Sequence, residues 1–227
     1  MSSRSEYFDL VESYPEAFAN PPGGGFEILL EEEDIRRAED SVARTLTESG
    51  GSPEWARVGI AYRDQYVMIV RDAVRFPGGK LGTYIRLWNP HPHHLGVAML
   101  PVWHRQVVLV RHFRHETRAW HLEIPRGFGT GPDSAESARR ELREEIGATE
   151  ARLTELGRFN PGPGATEGSI ALYLAEIESY GAPEADEGIT EILPVPIPQF
   201  ERMIADGELT DTCVLAAYAR ARARQLI

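Results

Sequence analysis

Cysteine and lysine are the residues of which this sequence has least. Cys213 is the one cysteine in 227 residues, so the chain cannot form an internal disulfide bond, as is usual in a reducing compartment. Because Cys213 lies in a predicted helix, we interpret it as a small buried hydrophobic residue and not as a nucleophile. Lys80 is the one lysine, and the other basic residues are all arginine. Arginine suits bidentate contacts with phosphate.

Long apolar runs and an excess of positive charge are also absent. No run approaches the length that spans a bilayer, and residues 1–14 are acidic without the apolar core of a signal peptide. We therefore expect a cytoplasmic protein with no membrane partner. The formal net charge of −11 argues against nonspecific binding to nucleic acid, which requires a basic surface. Phosphate can still bind where metal ions and a few arginines supply positive charge.

The most informative segment is 123–148, in which a strand end, a glycine loop, an acidic helix and a glycine stop follow one another. Glycine occupies every second position from 127 to 131, which suits a backbone that turns tightly beside a ligand. Asp133 is placed to cap the following helix. Gly147 is placed to end it in the left-handed conformation. The sequence therefore predicts a helix between these two residues.

Charged and apolar residues occupy separate faces of that helix. Glu141 and Glu145 are four residues apart and share a face, which Glu144 widens. Three carboxylates on one face repel one another, and a bound Mg²⁺ or Mn²⁺, which prefers hard oxygen ligands, would remove the repulsion. Arg140, four residues before Glu144, can hold that carboxylate by a charge-assisted bond. The alternative is a solvated acidic helix with Arg–Glu pairs along it. The neighbouring face has core-facing spacing and comprises Ala135, Ala138, Leu142 and Ile146.

The same segment resembles the Nudix box, in which a glycine loop with an acidic residue leads into a helix of the pattern RE-x-x-EE-x-G. Residues 140–148, RELREEIGA, match the helical half at every defined position. The loop half departs from the family pattern, because Asp133 stands where the family usually has glutamate and lies one residue closer to Arg140. Asp133 is therefore either a helix cap or a residue near the metal. The helical carboxylates do not depend on this choice.

Two segments outside the box resemble the ADP-ribose pyrophosphatase group of that family. Val107–Arg114 looks like the strand that precedes the box in this group, and the resemblance implies that Arg114 contacts the substrate diphosphate. The alternative for Arg114 is a surface ion pair, and Arg86 is a second candidate for the same contact. The proline- and glycine-rich loop 160–168 contains one acidic residue, Glu167, one position before the place of the group's catalytic glutamate. Glu167 is a candidate base or a bystander, and Glu144 is the next candidate.

Short strands dominate between Trp55 and the box, and strands and helices follow it. Enrichment in β-branched and aromatic residues predicts the strands, and the spacing of apolar residues predicts the helices. The predicted strands are 58–62, 66–74, 82–88, 95–102, 106–111, 119–124, 152–159, 169–177 and 190–195, with 26–30 as a further strand or buried anchor. Besides the box helix, the predicted helices are 6–18, 31–46, 200–204 and 212–224. Residues 103–105 are predicted to form a tight hairpin.

Three histidines, His91, His93 and His94, crowd one loop and raise the alternative of a zinc site. Zinc sites usually recruit cysteine or a well-spaced histidine pair with a third ligand. The neighbouring prolines, Pro90 and Pro92, favour a stiff exposed loop instead. We divide the chain into a helical extension (1–55), a strand-rich subdomain (56–93) and a Nudix hydrolase domain with C-terminal helices (94–227).

The expected fold class is α/β, a Nudix α/β/α sandwich with a mixed sheet and an N-terminal strand-rich extension. The resemblance implies hydrolysis of a nucleoside diphosphate linked to another group, X, with ADP-ribose or a nucleotide sugar as the substrate. It also implies that Mg²⁺ or Mn²⁺ is held by Glu141, Glu144 and Glu145 with the backbone carbonyl of Arg126. Members of this group are often dimeric, so we expect a homodimer.

Two other functions remain open at this point. One is a non-catalytic Nudix-like nucleotide-sugar sensor or interaction protein, which the loss of the metal carboxylates would favour, and none is lost here. The other is an RNA-processing member of the family, which is expected to carry a basic tract. The net charge of −11 weighs against it.

Overall fold

The protein consists of two compact units, Met1–Pro90 with Gly162–Glu167 and His91–Pro161 with Gly168–Ile227. The computed structural model describes residues 4–89, 95–129, 131, 133–162 and 168–227. In these ranges, none of the helices combines the length and the apolar character that crossing a membrane requires. The domain boundaries predicted after residues 55 and 93 stay predictions.

The first unit combines helices with a four-stranded sheet in which β3 is central. β3 pairs antiparallel with β4 over its whole length, with β2 near its start and with β1 near its end. The elements in chain order are α1 (Arg4–Ser13), a 3-10 helix (Pro15–Phe18), β1 (Glu27–Leu29), α2 (Glu32–Glu48), a second 3-10 helix (Pro53–Ala56), β2 (Gly59–Arg63), β3 (Met68–Arg75) and β4 (Leu81–Trp88).

The helix predicted over residues 6–18 is wrong in its extent. The α-helix ends at Ser13, and Pro15–Phe18 continues as a 3-10 helix. Proline lacks a backbone N–H and its ring clashes with the preceding turn, so an α-helix cannot continue unbroken through Pro15. The second predicted helix is confirmed as α2, which contributes Ile35 to a core shared with strand residues such as Val70.

A buried polar cluster joins the helices and strands of this first unit. Asp72 is 1% exposed and accepts hydrogen bonds from Nε and Nη2 of Arg86 at 2.6 and 3.0 Å. The Tyr7 hydroxyl donates to the same carboxylate at 2.8 Å. The Arg86 guanidinium also lies over the rings of Phe18 and Trp88, 4.7 and 5.3 Å from their centroids. Asp72 therefore has its charge balanced and its oxygens hydrogen-bonded, as burial requires.

The second unit contains a seven-stranded mixed sheet. The strand order is β11-β6-β5-β10-β9, with β7 paired to β6 and β8 paired to β5. β10 runs parallel to β5, and the other neighbouring strands are antiparallel. The elements are β5 (Gly96–Trp103), β6 (Gln106–Arg114), β7 (Ala119–Glu123), β8 (Arg126–Phe128), α3 (Ser134–Ile146), β9 (Ala151–Phe159), β10 (Ile170–Ile177), β11 (Ile189–Pro196), α4 (Ile197–Ala205) and α5 (Thr212–Ala223).

This sheet lies between two helical layers. Residues 107–110 of β6 alternate between two cores, one formed with Leu142 and Ile146 of α3 and the other with Phe200 of α4 and Val214 of α5. A strand that is buried on both faces needs apolar residues at every position, which explains the unbroken valine and leucine run of β6. The predicted α/β/α sandwich with a mixed sheet is confirmed.

The hairpin between β5 and β6 was predicted from local sequence, whereas strand β8 was not. His104 and Arg105 have φ angles of 46° and 63° and link β5 to β6, so the predicted tight hairpin is confirmed. β8 was not predicted, because three residues with Gly127 at their centre give no strand signal. The pairing of Gly127 with Val97 of β5 defines this strand, and such a pairing is visible only in the folded chain.

Candidate active site

The box helix α3 has well-defined ends. Asp133 caps its start, with the side chain accepting hydrogen bonds from the amides of Ala135 and Glu136 at 2.8 and 3.1 Å. Gly147 follows its end in the left-handed conformation, with φ of 64°. A Cβ at Gly147 would lie 3.0 Å from the backbone of Gly181. The predicted helix, its cap and its glycine stop are all confirmed, and Asp133 functions as the cap.

The two predicted faces of α3 lie in different surroundings. Leu142 and Ile146 are fully buried in the core of the sheet. Glu141 and Glu145 are also buried, at 6% and 2% exposure, and the side chain of Glu144 is 19% exposed. The interpretation of this segment as a solvated acidic helix is therefore wrong, because water does not surround the first two carboxylates.

Arg140 holds two of the three carboxylates. Its Nη1 donates to Oε2 of Glu144 at 2.6 Å, and its Nη2 donates to Oε1 of Glu141 at 2.5 Å. The same Nη2 donates to the carbonyl of Phe128 on β8 at 2.8 Å. The predicted Arg140–Glu144 bond is confirmed, whereas the bonds to Glu141 and β8 were not anticipated. Arg140 therefore fixes the acidic face of α3 against the strand that precedes the glycine loop.

Glu145 is the most deeply placed of the three carboxylates. Its Oε2 accepts a hydrogen bond from the amide of Arg126 at 3.2 Å. Burial, and then the negative charge of Glu141, raise the pKa of Glu145 to about 8. Burial is also the main cause that raises the pKa of Glu141. Two neighbouring carboxylates in a water-poor site favour a neutral form unless a cation offsets their charge.

Gly127 on β8 leaves the space that Glu141 occupies. A Cβ built on Gly127 would lie 2.1 Å from Cδ of Glu141 and 2.1 and 2.3 Å from its two oxygens. Any side chain at this position would displace the carboxylate. Gly131 lies in the loop after β8, and none of the described residues beyond its chain neighbours comes within 4 Å of its Cβ position. The need for glycine at 127 is therefore a consequence of the acidic face and not of backbone conformation.

Arg114 is held by a buried carboxylate that sequence reasoning did not single out. Glu123, at the end of β7, is 2% exposed. Nε and Nη2 of Arg114 both donate to its Oε2, at 2.9 and 2.5 Å. Nη2 of Arg126 donates to the same oxygen at 2.9 Å. Arg114 does form an ion pair, as the alternative interpretation supposed, but its partner is buried and not a surface residue. Its contact with the substrate diphosphate stays a prediction.

Charge keeps Glu123 ionised in spite of its burial. Burial alone would raise the pKa of this carboxyl, but the hydrogen bonds from Arg114 and the charge of Arg126 outweigh it, and the pKa of Glu123 lies below its ordinary value. Burial therefore favours the neutral form of Glu141 and Glu145, whereas two arginines favour the ionised form of Glu123. The useful sequence signal for Glu123 was a charged residue at the end of a strand, directly before the buried Ile124.

The donor set fits a divalent cation by its chemistry. Glu141, Glu144 and Glu145 supply hard carboxylate oxygens, which Mg²⁺ and Mn²⁺ prefer, and two of the three are buried with raised pKa values. Within the described residues, no three His, Cys, Asp or Glu side chains already lie at the spacing of metal ligands. The bonds of Arg140 to Glu141 and Glu144 account for this, because they direct these oxygens toward a guanidinium.

Two further acidic residues lie close to the box without having been predicted. The amide of Glu184 donates to the carbonyl of Glu144 at 2.8 Å. Burial, and then the charges of Glu144 and Glu184, raise the pKa of Glu187. Both residues lie in the segment between β10 and β11, far from α3 in sequence. No local motif marks them, and only the folded chain brings them to the acidic face.

Arg86 and Glu167 are the remaining predicted site residues, together with the histidines of the alternative zinc site. Arg86 lies in the first unit, where Asp72 binds its Nε and Nη2 and its Nη1 donates to the carbonyl of Ala17 at 2.9 Å. Its contact with substrate stays a prediction. Glu167 lies outside the described residues, as do the three histidines of the alternative zinc site, His91, His93 and His94.

Comparison with known proteins agrees with this geometry. The model of the NUDIX domain matches residues 92–213, more than half of the chain. An ADP-ribose pyrophosphatase of Mycobacterium tuberculosis is 29% identical over 155 residues, which cover 64% of this chain and 72% of that protein. An ADP-ribose pyrophosphatase of Bacillus subtilis is 29% identical over 144 residues, covering 61% and 75%.

A solved structure supports the fold. The crystal structure of an ADP compounds hydrolase superposes with a TM-score of 0.61 at 18% identity, and the match covers 75% of this chain and 95% of the other. The fold and the acidic helix together define a Nudix hydrolase, and the chain belongs to the NUDIX family. Within that family it is a pyrophosphohydrolase that resembles the ADP-ribose pyrophosphatases. The predicted family, fold class and enzyme class are confirmed.

Replacing Gly127 with alanine is expected to lower kcat/KM for the enzyme's diphosphate substrate by about 100-fold, because the new methyl group displaces Glu141 by an ångström or more. Thermal unfolding should change little, since the group displaced is the end of a flexible side chain. Gly131→Ala is the matched control, because its methyl group would lie within 4 Å of none of the described residues outside its own chain neighbours. Equal activity of the two folded variants would contradict this reading of the site.

Proposed function

We propose that the protein uses Mg²⁺ or Mn²⁺ to hydrolyse the diphosphate of a nucleoside diphosphate linked to another group, X, with ADP-ribose or a nucleotide sugar as the substrate. The buried acidic face of α3, close to the arginines bound to Glu123, is the observation that carries this proposal. The similarity to two proteins named as ADP-ribose pyrophosphatases supports the choice of substrate. Cleavage between the two phosphorus atoms would give two monophosphates.

Glu141, Glu144 and Glu145, with the backbone carbonyl of Arg126, would hold the divalent cation. Bound there, the cation would neutralise the diphosphate and lower the pKa of a bound water molecule. Arg140 donates to Glu144 and Glu141 at 2.6 and 2.5 Å, and the amide of Arg126 donates to Glu145 at 3.2 Å. These bonds keep the three carboxylates close to β8, and the bonds of Arg140 would give way in part when the cation binds.

Arg114 would contact a phosphate oxygen of the substrate. Glu123 occupies its Nε and Nη2, and among the described residues its Nη1 has no acceptor, so this N–H group is available to an anionic ligand. Charge that develops on the equatorial oxygens during attack at phosphorus would be shared with this guanidinium. Arg86 is the second proposed contact, and it would have to give up a bond to Asp72 or Ala17.

Glu167 is the proposed general base, which would remove a proton from the attacking water. Its support is the resemblance of the loop 160–168 to the ADP-ribose pyrophosphatase group. Glu144 is the alternative base. Its side chain is 19% exposed, and it lies on the same helical face as the other carboxylates.

The rival functions have less support. A non-catalytic sensor has no need for three carboxylates on one face, two of them buried, and the pattern is complete here. An RNA-processing member of the family would be expected to carry a basic tract, and the net charge is −11. We also propose a cytoplasmic location, in keeping with the single, buried Cys213. Fractionation of cells that express the tagged chain would test the location.

A homodimer is proposed from an exposed edge in the first unit. Among the described strands β4 pairs only with β3, which leaves the other edge of β4 free for pairing. Tyr84 and Ile85 on β4 are 41% and 44% exposed. A free edge with apolar side chains is a common site of association between copies of a chain.

Replacing Glu145 with glutamine is expected to lower metal-dependent turnover at least about 100-fold, because the change removes a charged ligand while keeping the size of the side chain. Activity of the natural protein should disappear with a chelator and return with Mg²⁺ or Mn²⁺. Glu136→Gln, on the exposed side of the same helix, should retain full activity. Full turnover by folded Glu145→Gln protein would refute the metal assignment.

Glu167→Gln is expected to lower kcat for ADP-ribose by roughly 10²–10⁴ with little change in KM, since a general base acts in the chemical step. Mass detection of products from a panel of nucleotide diphosphates and triphosphates would identify the substrate. An unchanged kcat would transfer the role of base to Glu144. Cleavage of nucleoside triphosphates alone would show that the proposed substrate class is wrong.

Light scattering at micromolar concentration is expected to give twice the 25.4 kDa mass of the chain. Ile85→Lys should convert the dimer into monomers, because it places a charge on the proposed interface. Tyr66→Lys is the control, because Tyr66 is 80% exposed and lies in the turn before β3. A monomeric natural protein would count decisively against the dimer.

A further inference from the structure

Glu123 is a buried charged residue with two arginine partners. Its carboxylate, 3% exposed, accepts bonds from Arg114 through Oε1 at 3.1 Å and Oε2 at 2.9 Å, both from Nε. Nη2 of Arg126 donates to Oε2 at 2.9 Å. The side chains of Arg114 and Arg126 are 25% and 26% exposed. The two guanidinium groups therefore share one carboxylate oxygen, and each keeps part of its surface in contact with solvent.

Asp211 anchors the second arginine from a different layer of the fold. Its Oδ2 accepts a hydrogen bond from Nη1 of Arg126 at 2.7 Å, and its Oδ1 caps α5 by accepting from the amide of Val214 at 2.9 Å. The Asp211 side chain is 8% exposed. A continuous series of ion pairs therefore joins the start of α5 to Arg126, Glu123 and finally Arg114 on β6.

The alternation of charge in this series explains why two arginines can lie so close together. Arg114 and Arg126 repel each other, and each of them has a carboxylate partner, with Glu123 between them. Arginine has a long side chain with many rotamers, so a guanidinium without Glu123 would not stay in one place. Fixing it in advance removes an entropy cost that substrate binding would otherwise have to meet.

We propose that Glu123 is a positioning residue of the pyrophosphohydrolase. It fixes the Arg114 guanidinium by two of its nitrogens and leaves Nη1 for a phosphate oxygen of the substrate, while Asp211 steadies Arg126 on the far side of Glu123. Glu123 does not itself contact the diphosphate. The role of Arg114 in this statement rests on the proposed function.

A positioning role of Glu123 differs from a purely structural role in one measurable respect. A carboxylate that only stabilises the fold would affect activity equally whether or not Arg114 is present. A carboxylate that acts through Arg114 should lose its effect once Arg114 is removed. Residues that act on a shared partner show such non-additivity in a double-mutant cycle.

The test compares the natural enzyme with Glu123→Gln, Arg114→Gln and the double variant. Glu123→Gln should raise KM for ADP-ribose about 10- to 100-fold with a smaller change in kcat, since displacement of a binding group by about 1 Å costs up to about 10²-fold. In the Arg114→Gln background the same change should alter KM less than about 2-fold, given the usual error of such cycles. Equal effects in both backgrounds, or none in either, would overturn the proposal.

Two further variants keep the result interpretable. Asp211→Asn retains a good N-cap acceptor for α5 and removes the charge that holds Arg126, so it should raise KM in the same direction but less than Glu123→Gln does. It replaces Glu123→Gln in the cycle if that variant does not fold. Glu191→Gln is the control, because it breaks the exposed Arg111–Glu191 pair, whose side chains are both 51% exposed. It should leave KM unchanged.

Measuring the binding of ADP tests the positioning role of Glu123 independently of whether ADP-ribose is the substrate. The dissociation constant for ADP, which has a diphosphate but no group X, is measured by calorimetry across the same cycle. A 10- to 100-fold weakening by Glu123→Gln that vanishes in the Arg114→Gln background supports the positioning role even if ADP-ribose is not hydrolysed. An ADP affinity of the natural protein that none of the variants changes would overturn it.

Discussion

The structure of the site depends on the burial of negative charge along one side of α3. A pKa of about 8 for Glu145, against the ordinary 4.5, corresponds to a penalty on the order of 5 kcal/mol against the ionised form. Burial of Leu142 and Ile146 on the adjoining face contributes about 1.5–3 kcal/mol each. These apolar contacts hold α3 against the sheet, while burial disfavours the ionised form of Glu145.

Several local features follow from that burial. Gly127 has no side chain because Glu141 fills the space beside its Cα atom. Arg140 donates to two carboxylates and to the carbonyl of Phe128, which keeps part of the negative charge paired. Since a divalent cation would satisfy the same oxygens, this arrangement is a compromise between folding and ligand binding. Functional sites commonly retain such local conflicts, which the rest of the fold compensates.

The arginines of the neighbouring strands, Arg114 on β6 and Arg126 on β8, are each paired with a buried acid. Glu123 and Asp211 are buried acids that fix arginines, whereas Glu141 and Glu144 share one arginine and Glu145 forms no ion pair with a described residue. The pKa of Glu123 is therefore lowered, while that of Glu145 is raised. In the proposed function, a metal ion would offset the charge of the carboxylates, and the phosphate oxygens of the substrate would bind an arginine.

Local sequence was sufficient for much of the fold. The α3 helix, with its cap at Asp133 and its stop at Gly147, follows from interactions within a few residues of each other. The strands of the mixed sheet were found because burial on both faces requires the apolar runs that the sequence displays. Pro15 also carried a local signal, and the error there came from extending a helix through it. Strand β8 has no such signal, since its one apolar side chain, Phe128, is 79% exposed.

What the sequence by itself determined is therefore the box helix, its two faces and the family to which they belong. The tertiary structure alone decided the partners of the charges. Glu123 meets Arg114 across a strand pair, Asp211 reaches Arg126 from 85 positions away along the chain, and Arg86 is held by Asp72 in the first unit. The physical reason is that a charged side chain has no preferred partner in its local sequence. Its partner is fixed only when folding removes water and leaves one opposite charge within reach.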